Sequence, residues 1–173
     1  HVSVERNDNG ISPWRLWHDD ILLFHDESYL AKAHEAAGVR IRFQTDAKAV
    51  RLSFVSTKGE IPFDLVCEEK ILRHVKAIGA SGIADFDLNG EADVYEIWLP
   101  PAQSIILKTL ELMDATQFGT PHDERLKWIT YGSSITQCSA ASSPALTWPA
   151  IAARENDLHL TCLGYGGQCH IDP

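Results

Sequence analysis

The chain has 173 residues, 45% of them apolar and 23% charged, the composition of a globular protein able to bury a core. Its net charge of −9, from 24 acidic and 15 basic side chains with no basic stripe, argues against nucleic acid and anionic lipid as partners. No apolar run reaches the roughly 18 residues that a membrane-crossing helix needs, so the chain reads as soluble.

From Trp14 to Thr120 the sequence falls into short strand-like runs bounded by Gly, Pro, Asn and Asp, with little sustained helical spacing. This half is expected to be all-β. Val39-Arg40-Ile41-Arg42-Phe43 alternates apolar and polar residues, as does Val50 to Val55 before a turn at Thr57-Lys58-Gly59. Further strands are predicted over Phe63 to Cys67, Ile71 to Ile78, Val94 to Leu99 and Ser104 to Met113. Turn signals stand at Gly79 to Gly82, Asn89-Gly90 and Pro100-Pro101. Such regular short strands point to a β-sandwich of jelly-roll-like type. The polar, breaker-rich stretch from Thr116 to Glu124 reads as a linker. It puts a domain boundary near His122 and divides the chain into 1–122 and 123–173.

After the boundary the periodicity changes. Leu126 to Tyr131 is a strand candidate ending in Gly132-Ser133-Ser134, and a loop then leads to a helix over Trp148 to Glu155. Thr147 is its expected N-cap, and Pro149 falls in the first turn, where a missing N–H costs nothing. Asn156-Asp157 stops the helix, and Leu158 to Leu163 forms a second strand running into Gly164-Tyr165-Gly166-Gly167. The order β-α-β predicts parallel pairing. A single unit of this kind leaves both faces and both edges of its sheet poorly covered, so further strands are expected from another segment or a second chain.

Ligands of parallel α/β sheets bind at the carboxyl ends of the strands, where both small-residue clusters stand. Ser134 would offer a nucleophilic hydroxyl and its own N–H to a developing oxyanion, with Gly167 supplying a second N–H. Either cluster taken alone reads better as a tight turn, and it is their shared position that points to a site. Thr136 stands where the last glycine of a G-x-S-x-G elbow would be, and neither cluster carries the G-K-[ST] of a phosphate loop.

Tyr131-Gly132-Ser133-Ser134-Ile135-Thr136 resembles the first block of the SGNH (GDSL-like) hydrolases, commonly written G-D-S-[IL]-T, with Ser133 in place of the usual Asp. Leu163-Gly164-Tyr165-Gly166-Gly167-Gln168 is similar to their second block, and Thr147-Trp148-Pro149-Ala150 to the helix start between the two. A β-rich domain ahead of the first block resembles GxDLY-type and two-domain carbohydrate esterases, although Ile61-Pro62-Phe63-Asp64-Leu65 fits that label only in part.

The resemblance implies the first β-α-β unit of a flavodoxin-like hydrolase domain. It also implies hydrolysis of carboxylic esters through an acyl-serine intermediate, often deacetylation of carbohydrates, with no cofactor. Ser134 is then the nucleophile, Ser134 and Gly167 supply oxyanion-hole N–H groups, and Gln168 and His170 are substrate-binding candidates. Family members take an oxyanion-hole Asn and a general-base His, usually with Asp, from blocks that would lie beyond Pro173. This chain alone is therefore expected to be nearly inactive. His170 is followed by Asp172-Pro173, which is not the family's terminal Asp-x-x-His block. The other histidines read as surface or packing residues.

Cys67, Cys138, Cys162 and Cys169 lack C-x-x-C spacing, so no metal site is expected. Reduced thiols fit best, and a cytoplasmic setting is favoured over a secreted one. Cys138 and Cys169, close in sequence to the two blocks, read as bystanders. The competing function is a non-catalytic carbohydrate-binding or interaction module, with Trp14, Trp17 or Trp98 stacking on sugar rings.

Overall fold

The alternation of Val50, Leu52 and Phe54 with more polar neighbours becomes a strand, Ala49–Ser56, in which every second side chain is buried. It belongs to a computed structural model that describes residues 2–57 and 59–170. Lys58 of the expected Thr57-Lys58-Gly59 turn and the Asp172-Pro173 ending lie outside the described residues. Among the described residues ten strands make up the N-terminal part: β1 (Ser3–Asn7), β2 (Gly10–Trp14), β3 (Arg40–Thr45), β4 (Ala49–Ser56) and β5 (Glu60–Cys67), then β6 (Lys70–Ile78), β7 (Ser81–Asp87), β8 (Asp93–Trp98), β9 (Ile105–Met113) and β10 (Phe118–Gly119). They form two five-stranded antiparallel sheets, ordered β1-β2-β9-β4-β7 and β10-β3-β8-β5-β6.

The inward faces of both sheets supply one core, built from residues such as Val50, Leu52, Phe54, Phe63, Phe86 and Ile97. The Phe54 and Phe63 rings meet across it with centroids 4.9 Å apart. This is the sandwich that the alternation implied. β5 departs from simple alternation, because Phe63 to Cys67 are all buried. Its second face is covered as well: Val66 joins Ala37, Trp98, Ala145, Ala150, Ala153, Leu160 and Cys162 in a second apolar cluster that extends into the C-terminal part.

The expectation of an all-β N-terminal half needs one correction. A 3₁₀ turn at His18–Leu23 and a helix, α1 (Glu27–His34), interrupt the strands. The Asp26 carboxylate caps α1, accepting from the N–H of Ser28 at 2.8 Å and of Tyr29 at 3.2 Å. Ala33 is its one buried residue, so almost no apolar stripe betrays it in sequence.

The C-terminal part is a parallel pair, β11 (Leu126–Gly132) and β12 (Leu158–Gly164), joined through a one-turn helix α2 (Ser134–Gln137) and through α3 (Trp148–Glu155). Thr147 occupies the N-cap position of α3, yet its hydroxyl donates to the Pro144 carbonyl at 3.1 Å and bonds no helix N–H. Because Trp128 pairs with Leu160 and Thr130 with Cys162, these four share one face of the pair. That face packs on the sandwich, so the expectation of two bare faces is half corrected. The opposite face, with Ile129 at 62% and Tyr131 at 50% exposure, is open. β11 pairs on one side alone among the described residues.

Polar contacts reinforce the junction. Asp64, fully buried on β5, accepts from the Ser143 hydroxyl at 2.6 Å and the Ala145 N–H at 2.7 Å, and its other oxygen lies 2.6 Å from His74 Nδ1. Arg125 bridges Asp123 (2.6 Å) and Glu96 (2.7 Å), while His159 Nδ1 lies 2.8 Å from Asp123. Hydrogen bonding and charge from Arg125 hold the Asp123 carboxyl well below the usual carboxylate range. Among the described residues no helix is long and apolar enough to cross a membrane.

Candidate active site

The in-register pairing carries both strands to the same level, with Gly132 opposite Gly164. The two small-residue turns therefore leave the sheet side by side, and the Tyr165 N–H donates to the Gly132 carbonyl at 2.8 Å. Glycine at 164 has a steric cause: a Cβ there would sit 2.3 Å from the Gln137 nitrogen and 2.6 Å from the Thr136 carbonyl carbon. Any side chain would push the second turn off α2.

Ser134 begins α2 and is exposed. As the first residue of a helical turn its N–H has no intrahelical acceptor, and among the described residues neither that N–H nor the Ser134 hydroxyl meets a partner. The turn itself is fastened. Trp148 Nε1 donates to the Ile135 carbonyl at 2.8 Å and the Cys138 thiol to the same oxygen at 3.0 Å, while Cys138 closes the turn in the left-handed region (φ +55°). Burial pushes the Cys138 thiol pKa up, which suits a protonated structural donor.

The second turn differs in detail from the sequence expectation. Space for approach exists at Gly167, where a Cβ would meet nothing within 4 Å; the backbone, at φ +76°, is what favours glycine. Its N–H is also engaged, donating to Ser133 Oγ at 3.1 Å. Ser133, standing where the resemblance expects Asp, thus bridges the two turns. A Cβ placed on Gly166 would lie 3.7 Å from Ser134 Cα, so the glycine loop runs directly beside the serine.

Gln168 and His170 come together, His170 Nε2 lying 3.2 Å from Gln168 Oε1, and both line a pocket of about 340 Å³. Tyr131 also lines it and donates to the His170 carbonyl; Leu23, Phe24 and Tyr29 add apolar wall from the N-terminal part. His170 is turned to Gln168 and makes no hydrogen bond to Ser134. A cleft of similar size, lined by Arg42, Arg125, Arg154 and Asp157, lies at the opposite, amino ends of β11 and β12, away from both glycine turns. His159 sits near that end, paired with Asp123.

The tryptophans divide. Trp98 is buried and donates to Glu96 at 3.1 Å, and Trp14 stacks on His34 with centroids 4.2 Å apart, so both serve packing; Trp17 is 63% exposed. The residues that sequence reasoning missed are Arg15, Glu35 and Gln137, which tie the glycine loop to the N-terminal part. For Arg15 a signal existed: a lone cation inside the aromatic run Pro13-Trp14-Arg15-Leu16-Trp17.

Known proteins agree with this two-part arrangement. Residues 1–108 match the family model described as SsfX3, N-terminal domain, and residues 126–173 match that of the GDSL-like lipase/acylhydrolase family. Among solved structures the chain is similar to the salicylyl-acyltransferase SsfX3 from a tetracycline biosynthetic pathway. The TM-score is 0.86 at 25% identity, over 95% of this chain and 50% of that one. A candidate GDSL-like lipase from Bacteroides ovatus superposes with TM-score 0.69 at 18% identity, over 89% of this chain and 51% of that one. A family two carbohydrate esterase from Clostridium thermocellum, solved with cellohexaose, gives 0.64 at 12% identity, over 95% and 50%. The last two show a shared fold. The chain spans about half the length of the structures it matches. No curated protein matches it. A sandwich that matches this model over its first 108 residues, followed by two glycine turns on a parallel strand pair, places the chain in the SsfX3 N-terminal-domain family, continued by a segment of the GDSL-like lipase/acylhydrolase family.

Proposed function

We propose that the chain carries the nucleophile half of a serine acyl-transfer site. The observation that carries this reading is the exposed, unpartnered Ser134 hydroxyl on a fastened turn, beside a glycine loop at the carboxyl ends of two in-register strands. Ser134 Oγ attacks the ester carbonyl, its proton passes to a general base, and the alcohol leaves as the acyl-serine forms. Water then adds to the acyl-serine and releases the acid. The Ser134 N–H faces the developing oxyanion. Gly167 supplies the second donor once substrate draws its N–H from Ser133 Oγ, an exchange of one hydrogen bond for a stronger charged one.

The general base and a further oxyanion donor come, in this reading, from strands that complete the sheet at the open edge and face of β11. A missing segment or a second chain supplies them. The bare Ile129 side chain and the twofold length of the matched structures support this. The domains divide near His122 into a sandwich (1–122) and the start of a hydrolase domain (123–173). The substrate class is a carboxylic ester, with acetylated carbohydrate the first choice on the two-domain resemblance. The 25% identity to a salicylyl-acyltransferase favours a second outcome at the same serine, transfer to an alcohol in place of water.

Fluorophosphonate labelling of the full gene product tests the reading. Covalent modification of Ser134 is expected, with none in Ser134→Ala; an unlabelled Ser134 would overturn it.

A further inference from the structure

The loop Gly164-Tyr165-Gly166-Gly167 is held by its own β-α-β unit, through Gly132, Ser133 and Gln137, and also by Arg15, which reaches in from the N-terminal sandwich. Arg15, 1% exposed, follows directly on β2. Its Nη1 donates to the carbonyls of Gly164 and, at 3.3 Å, Cys162, both at the end of β12; its Nε donates to the Glu35 carbonyl at 2.6 Å and its Nη2 to the Lys32 carbonyl. The guanidinium also lies 4.9 Å from the centre of the Tyr165 ring, and the Tyr165 hydroxyl donates back to the Arg15 carbonyl at 3.0 Å. A buried cation is satisfied here by backbone carbonyls of two segments, so it joins the end of α1 to the end of β12.

Gln137 completes the connection. It is 1% exposed, and each end of its amide has a defined partner. Gly166 N–H can only donate, so it takes the amide oxygen, at 2.6 Å. The amide nitrogen donates to the Glu35 carboxylate and, at 3.2 Å, to the Pro101 carbonyl. Glu35 is thereby a hub on the sandwich side: its carbonyl takes Arg15 and its carboxylate takes Gln137 and Lys32 (3.0 Å). Gln137 lies three residues after Ser134 and one hydrogen bond from the residue before Gly167.

We infer that Gln137, held by Glu35, is a positioning residue that sets the oxyanion-side loop against Ser134, so that the N-terminal sandwich is a structural part of the catalytic site. This rests on the serine acyl-transfer reading above and extends it to the sandwich. Gln137 need touch no substrate. A loop displaced by about 1 Å loses roughly 100-fold in rate, so its removal should act on kcat.

The test is a paired exchange in the full gene product, read by p-nitrophenyl acetate hydrolysis and by amide exchange at Gly166. Gln137→Glu sets a carboxylate against that of Glu35, while leaving an oxygen for Gly166. It should lower kcat by about 10- to 100-fold with KM within about threefold, and speed Gly166 exchange. Adding Glu35→Gln restores a donor opposite the new carboxylate and should recover most of both losses. Unchanged kcat in Gln137→Glu, or no recovery in the double variant, overturns the inference and leaves the serine reading standing. If the parent shows no Ser134-dependent turnover, the serine reading fails. The positioning role falls with it, and Gly166 exchange then reports only whether Gln137 and Glu35 hold the loop.

Discussion

The sandwich and the β-α-β unit are both built on strands, but they solve the burial problem differently. The sandwich closes on itself: two antiparallel sheets bury one face each against the other, with Phe54 and Phe63 meeting at the centre. The parallel pair borrows its cover. Its inner face lies on Val66 and Trp98 of the sandwich, and its outer face, with Ile129, is bare. The region that stands on its own supplies framework, and the dependent one carries the exposed serine. The turn proposed as functional is thus tied to the sandwich, Arg15 bonding Gly164 directly and Glu35 bonding Gln137 of α2, which in turn holds Gly166.

The largest expected difference between the two regions is in activity. Ser134→Ala should reduce Ser134-dependent ester turnover in the full gene product by about 10,000-fold or more. Stability, followed by urea unfolding, should stay within about 0.5 kcal/mol, because the side chain is exposed and unpartnered. A comparable unfolding loss would mean that Ser134 holds structure. Phe63→Ala in the sandwich should behave in the opposite way. It removes a fully buried ring from the contact between sheets and should cost about 3–5 kcal/mol. A cost below about 1 kcal/mol would contradict a closed core.

Legibility in sequence follows the same division. The predicted strands match β3 to β6, β8, β9, β11 and β12, because short runs rich in apolar and β-branched residues between turn signals mark a strand; in β4 the alternation also marks the buried face. Helix α3 was found to the residue from Trp148 to Glu155, since Pro149 and Asn156-Asp157 punctuate it chemically. Helix α1, the β1–β2 hairpin, β7 and β10 escaped: α1 buries only Ala33, the hairpin's burial comes from partners distant in the chain, β7 begins at Ser81-Gly82 inside the stretch read as a turn, and the two-residue β10 lies inside the stretch read as linker. For the proposed site, local chemistry points to Ser134 and the glycine turn. It missed what holds them, because Gln137 and Glu35 are 102 residues apart and Arg15 and Gly164 are 149 apart. Long-range polar contacts leave no periodic trace.

The junction between the regions gives a smaller, pH-dependent effect. Asp123 is held ionised by Arg125, then by His159 and Arg42, so its folded pKa is depressed below the unfolded value of about 3.9. Above that value both states are ionised and the full contribution is present. As pH falls below about 4 the unfolded chain takes up a proton that the folded one refuses, and the contribution is progressively lost. Asp123→Asn should therefore cost about 1–3 kcal/mol at pH 7. The difference from the parent should shrink between about pH 4 and pH 2. A difference independent of pH would assign the loss to packing alone.

The smallest effect is expected on the bare face, and it separates the two regions most sharply. Ile129 and Phe63 are both large apolar strand residues, but Ile129 is 62% exposed. In the 173-residue chain Ile129→Ser should change stability by no more than about 0.5 kcal/mol. In the full gene product, where we propose that added strands cover β11, the same substitution should cost about 2–4 kcal/mol, the range for a buried aliphatic side chain cut short. Equal, negligible costs in both would mean that nothing packs on this face. The β-α-β unit would then be complete as it stands, and the general base for Ser134 would have to be sought elsewhere.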